Sequence, residues 1–222
     1  MIDNAVAYEG DVQELVDNYN AQNRPDKKHT YWQSRDVDAT KSVIKKHYIQ
    51  VQGRRCCYCN IQIGTAHGRV WDVEHIIAKS THPHFLFEPR NLAVSCIECN
   101  ENKSDKAVLQ VNNPPYPVAF PDKSEDYIIV HPHFDEYEKH ISIYLEKVYA
   151  GDSPKGCKTI EICGLTRINL MEAGWDPKLS DSGYVMDKAN ELLAAKDADE
   201  MRHTLTELLM LAQVGLSRTL LS

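Results

Sequence analysis

Apolar positions Val37, Val43, Ile44, Tyr48 and Val51 recur at roughly helical spacing, which predicts a helix over 37–51 that Gly53 ends. Asp11 to Tyr19 carries a weaker helical pattern. From Val70 to Ile77 the residues alternate loosely and are rich in β-formers, so a strand is expected. Gly64 and Gly68 are turn residues before it. Residues 79–90, with Pro83 and Pro89, read as a loop, and a helix is expected from near Cys96 or Cys99 to about Leu109. Asn112-Asn113-Pro114-Pro115-Tyr116-Pro117 fits neither helix nor central strand and reads as a linker. Beyond it, Tyr127 to Val130 and Ile141 to Leu145 read as strands, and Thr159 to Glu172 as a strand or turn leading into a helix. The chain closes on a long helical pattern from about Val185 to Leu221, with Gly215 as its weak point. Met201, Leu205 and Leu209 belong to its apolar stripe, which suits a core or a subunit interface. The pattern predicts an α+β chain that is mainly helical.

Composition narrows the function classes. Of the 222 residues 42% are hydrophobic, enough for a real core, and there is no apolar stretch of membrane-spanning length. Met1-Ile2-Asp3-Asn4 lacks the basic and apolar regions of a signal peptide, so a cytoplasmic protein without membrane contact is expected. The net charge of −7 hides an asymmetry. Residues 27–55 hold Lys27, Lys28, Arg35, Lys41, Lys45, Lys46, Arg54 and Arg55 against Asp36 and Asp38. Residues 172–200 hold eight acids against three lysines. A basic half that meets nucleic acid and an acidic half with a separate task fit this division; two ordinary solvated faces are the alternative.

Seven cysteines, four of them in Cys-x-x-Cys pairs, suit a reducing compartment with zinc. Cys56, Cys59, Cys96 and Cys99 have the pairing of a tetrahedral structural zinc site, in which four thiolates leave no open position. A redox pair or plain packed thiols is the other reading. Cys57 is wrongly spaced for the pair, and Cys157 and Cys163 lie outside it. Between the pairs stand Glu74, His75 and Asn91, with Asn100 just after them. These supply the carboxylate, imidazole and neutral oxygen that a second, catalytic metal site needs.

From about Arg54 to Lys103 the chain resembles the HNH endonucleases. The resemblance rests on the first cysteine pair, Asp72-Val73-Glu74-His75-Ile76, Asn91-Leu92 and Cys96-x-x-Cys99-Asn100-x-x-Lys103, in that order. It implies a ββα-metal core held by the four-cysteine zinc, within the segment 53–110. A basic helical segment, 1–52, would precede it, and a helical extension for partner binding, 111–222, would follow. It further implies that His75 is the general base, that Glu74 ligates a divalent cation, and that Asn91 orients the base. Asn100 would complete the metal site. The family more often has Asp or His at the position of Glu74 and His at that of Asn100, and Asp72 is the alternative carboxylate. An oxygen-only site favours Mg²⁺ or Mn²⁺. Lys103, one turn after Asn100, and Arg69 are expected at phosphates, with Lys45, Lys46, Arg54 and Arg55 leading nucleic acid in.

A looser resemblance covers His131-Pro132-His133-Phe134-Asp135, His140-Ile141 and Lys155-Gly156-Cys157-Lys158. It is to standalone HNH effectors of bacterial anti-phage systems, the Septu and retron-associated ones, and it implies an ABC-type ATPase partner. The chain has no P-loop of its own. The function expected is a metal-dependent endonuclease acting on DNA in a defence complex. A nuclease for RNA or tRNA, a catalytically dead zinc-containing nucleic-acid-binding module, and a plain interaction protein are the alternatives.

Overall fold

The computed structural model describes residues 1–65, 67–110, 117, 119–144, 148–168, 188, 191–192 and 194–219. Residues 112–116 of the expected linker lie outside this set. The chain is α+β, with helices around two small antiparallel sheets.

Helix α1, Gly10–Asn20, buries Val16 and Tyr19. They pack with Val37, Leu86 and Phe87 in a small cluster beneath the N-terminal segment. Helix α2, Asp38–Val51, falls where its periodicity places it and buries Thr40, Ile44, Tyr48 and Ile49 along one face. Its end is a Schellman turn. Arg54 N–H reaches Ile49 C=O (2.9 Å) and Gly53 N–H reaches Gln50 C=O (3.0 Å), with Gly53 at φ +58°.

Strand β1, Trp71–His75, pairs antiparallel with β2, Leu92–Cys96, so that Glu74 faces Ala93 and His75 faces Leu92. Helix α3, Ile97–Lys103, follows β2 directly. It stops well short of the expected Leu109, because Ser104 turns to φ +49°. Strand β2 was not legible in the pattern: Leu-Ala-Val-Ser-Cys is too short and too uniformly buried to alternate. Gln52 closes the open edge of β2 by pairing its side-chain amide with Val94, donating to the carbonyl and accepting from the N–H at 2.8 Å each.

The second sheet pairs β3, Ile141–Tyr144, with β4, Val148–Gly151. Helix α4, Pro154–Ile162, starts earlier than expected because Ser153 caps it, accepting from Gly156 N–H (3.1 Å). The strand expected at Tyr127 to Val130 is absent. Tyr127 makes a single bridge to Leu109, and the Val130 N–H goes to the Thr159 hydroxyl (2.8 Å) instead of a ladder. The expected long C-terminal helix is interrupted at residues 195–197. Asp197 takes the N–H groups of Asp199 and Glu200 (2.9 Å each) and restarts it as α5, Ala198–Thr219. The principal hydrophobic cluster runs from Ile2 and Tyr48 through Trp71 and Val94 to Tyr149 and Leu165. No described helix is long and apolar enough to cross a membrane.

Candidate active site and metal centre

The four cysteines come together. A turn at Cys56–Cys59 faces the start of α3, and the sulfurs of Cys56, Cys59, Cys96 and Cys99 all lie within 4.8 Å of one another. Zn–S bonds of about 2.3 Å require tetrahedral sulfurs about 3.8 Å apart, so the donors fit such an ion. Cys96 also caps α3, accepting from the Cys99 N–H (3.4 Å), and Arg167 Nη2 donates to the Cys99 sulfur (3.2 Å). Contact with Cys56 pushes the thiols of Cys59 and Cys99 up, while Cys56 and Cys96 are held down by their hydrogen-bonding neighbours, as expected of crowded sulfurs that share protons. Among the described residues this is the one group of three or more His, Cys, Asp or Glu side chains placed to share a metal.

Glu74 and His75 close β1, between the two cysteine pairs in sequence, and share one cleft. Neighbours within a strand point to opposite faces. Here the strand ends at His75 and the chain bends through Ile76 and Ile77. Both side chains then line an open cleft of about 400 Å³, together with His29, Lys79, Asn100 and Ser104.

Glu74 is 2% exposed. Its Oε1 takes Lys103 Nζ at 2.6 Å and the Tyr58 hydroxyl at 2.9 Å. Burial pushes the Glu74 carboxyl above its usual range, and Lys103 and Tyr58 pull it part of the way back. Lys103, expected at a phosphate, is instead 1% exposed. Its ammonium bridges Glu74 and the His75 carbonyl (2.7 Å), which takes it out of the phosphate-facing set.

His75 Nε2 lies 3.1 Å from the Leu86 carbonyl, an acceptor only, so Nε2 carries the proton. Nδ1 is left with a lone pair and no hydrogen-bond partner. Burial, reinforced by the charge on Lys79, drives the imidazole well below its ordinary pKa, so it is neutral at pH 7. The edge of Trp32 packs on its ring with centroids 4.6 Å apart.

Asn91 is fully buried and staples the loop that carries these groups. Its Oδ1 accepts from Ile77 N–H (2.7 Å), and its Nδ2 donates to the carbonyls of Ile77 (3.1 Å) and Phe85 (3.2 Å). It touches backbone only and thereby fixes the segment that ends in Leu86, the partner of His75. Asn100 lines the cleft and donates from Nδ2 to Asp72 Oδ2 (2.8 Å), which turns its Oδ1 away from that carboxylate. Asp72 is thus joined to the site through Asn100.

The remaining basic residues singled out in the sequence stand elsewhere. Lys46, Arg54, Arg55 and Arg69 are exposed and Lys45 is half-buried, but none of them lines the cleft. Arg55 instead donates to the Asn60 carbonyl (2.9 Å). Lys79, His29 and Trp32 at the site were missed. Lys79 follows His75 by four residues, a signal that was there to read. His29 and Trp32 arrive from the N-terminal segment and carry no local signature.

One curated protein shows a relationship in sequence. The chain is 25% identical to the Septu protein PtuB of Bacillus thuringiensis over 131 residues. That stretch is 59% of this chain and 44% of PtuB, so the chain spans less than half the length of that relative. No family model matches the chain, and no solved structure matches it.

Proposed function

We propose that the chain is a metal-dependent HNH endonuclease that hydrolyses phosphodiester bonds, most readily in DNA, as the nuclease of a Septu-like anti-phage assembly. The observation that carries this reading is the state of His75. Its Nε2–H is spent on Leu86, while its Nδ1 lone pair is buried and unpartnered, on a residue that lines a cleft shared with Glu74 and Asn100. Hydrolysis needs a water deprotonated and aimed at phosphorus, and a neutral imidazole held in one tautomer accepts that proton.

Glu74 and Asn100 are the residues that would hold Mg²⁺ or Mn²⁺. Few protein donors and several retained waters are usual for such hard cations. The cation supplies charge neutralisation at the phosphate and the departing oxygen. Asn91 keeps the Leu86 carbonyl, and with it the His75 tautomer, in place. Lys79 contributes a positive charge to the cleft wall. The exposed Lys46, Arg54, Arg55 and Arg69, with Lys45, would attract the nucleic-acid backbone from outside the cleft; such contacts do not distinguish DNA from RNA.

The defence role rests on the likeness to the Septu protein PtuB, and the ABC-type ATPase partner rests on the resemblance of the C-terminal motifs alone. Helix α5 offers a face for that partner, since Met201, Leu205 and Leu209 are exposed at four-residue spacing. One observation favours a catalytically silent binding module instead, namely that Lys103 already neutralises Glu74. Cutting of DNA and RNA by zinc-loaded protein with and without Mg²⁺ or Mn²⁺, alone and with its co-purified operon products, separates the two. Divalent-dependent cleavage supports the nuclease, and binding without cleavage in every mixture supports the module.

A further inference from the structure

We infer that Tyr58 is a positioning residue that ties the four-thiol site to Glu74, so that the two metal sites act as one unit. The inference rests on the reading of Glu74 as a ligand of the catalytic cation. Tyr58 stands inside the first cysteine pair, between Cys56 and Cys59, and is fully buried. Its ring crosses from that turn to β1, where the hydroxyl donates to Glu74 Oε1 (2.9 Å). The second donor to the same oxygen, Lys103, stands one turn beyond Cys99 on α3.

Both donors therefore ride on the two segments that the thiols clamp together. The C-terminal region fixes the turn from behind. The Tyr137 hydroxyl donates to the Tyr58 carbonyl (3.0 Å), and the Tyr149 hydroxyl donates to the Cys59 carbonyl (2.7 Å). Because both donors meet Oε1, the other carboxylate oxygen is the one available to the cleft that Glu74 lines. A ligand held in this way by hydrogen bonds from behind is pre-oriented, and losing such a partner typically weakens metal binding about 10–100-fold. Tyr58 thus has a task beyond filling the core, and a closed structural zinc site gains an influence on chemistry at the cleft.

The test is Mn²⁺ binding to the full-length, zinc-loaded protein, followed by electron paramagnetic resonance. Tyr58→Phe keeps the ring and removes only the hydroxyl. It should retain zinc and fold with a lowered melting temperature, because buried Glu74 loses a hydrogen bond, while Mn²⁺ affinity falls by about 10-fold or more. A purely structural role would lower the melting temperature with Mn²⁺ affinity unchanged, and would overturn the inference. Should Tyr58→Phe fail to fold, Cys59→His serves in its place. It keeps a fourth zinc ligand but alters the reach of the turn beside Tyr58, and it should also weaken Mn²⁺; unchanged affinity there overturns the coupling. Wild-type protein that binds no Mn²⁺ overturns the reading of Glu74 itself, and the inference with it.

Discussion

Lys103 and Glu74 form a buried ion pair, 2.6 Å from Nζ to Oε1, with both side chains 3% exposed or less. Removing one partner of such a pair strands the other charge in a poorly solvated place, typically at a cost of about 3–5 kcal/mol. Lys103→Met should therefore destabilise the protein strongly. The double variant Lys103→Met, Glu74→Gln should recover a large part of the loss, because no buried charge is left over. Urea unfolding of the two variants checks this; a double variant no more stable than the single one would contradict it.

Zinc removal should act on the fold before it acts on chemistry. Structural zinc contributes on the order of 10 kcal/mol of apparent binding energy in small peptides. Cys59→Ser should yield zinc-poor protein that is insoluble or readily proteolysed, whereas Cys57→Ser should be mild, since Cys57 is not among the four clustered sulfurs. Metal analysis with limited proteolysis reads both variants. Well-folded wild-type protein devoid of zinc would remove the site.

Acid should weaken the protein through its buried histidines. Burial holds His133 at about 4, and holds His75 and His131 well below their ordinary value. Each binds its proton more readily when unfolded, at about 6.5. Their contribution is thus complete above about pH 6.5 and is lost as the pH falls below it, with His133 alone worth roughly 3 kcal/mol by pH 4. Denaturant midpoints should fall steeply over that window, and His133→Gln should flatten the fall. A midpoint constant from pH 7 to pH 4 would be the contrary result.

Ser104 carries backbone strain at the cleft wall. Its φ of +49° and ψ of −128° belong to a region that glycine occupies far more readily than other residues. Ser104→Gly should raise stability by roughly 1 kcal/mol, read as an upward shift of the urea midpoint. A downward shift would show that the serine side chain supports the turn.

The parts of this architecture that could be read in the sequence share a cause. Helix α2 announces itself because its buried face repeats at helical spacing and Gly53 supplies the left-handed stop. The cysteine site is readable because ligand chemistry constrains spacing directly. That Glu74 and His75 share one cleft was not readable from strand periodicity, which sends neighbours to opposite faces; only the family resemblance implied it. Lys103 misled for a simple reason. A lysine near the end of a helix defaults to the surface, and its burial depends on a carboxylate 29 residues earlier in the chain. Likewise, Tyr127 to Val130 has the composition of a strand, but whether a ladder forms depends on partners, and Thr159 took the Val130 N–H. His29 reaches the cleft, and Trp32 the ring of His75, through tertiary packing that no local pattern encodes.

His75 Nδ1 is the base in the proposed phosphodiesterase. Single-turnover cleavage by zinc-loaded His75→Ala, with Mg²⁺ or Mn²⁺ and any co-purified partner present, is the decisive assay. Loss of a general base should slow cutting roughly 10²–10⁴-fold while zinc content and nucleic-acid binding stay near wild type. Cleavage by pure His75→Ala within a few-fold of the wild-type rate would remove His75 as the base.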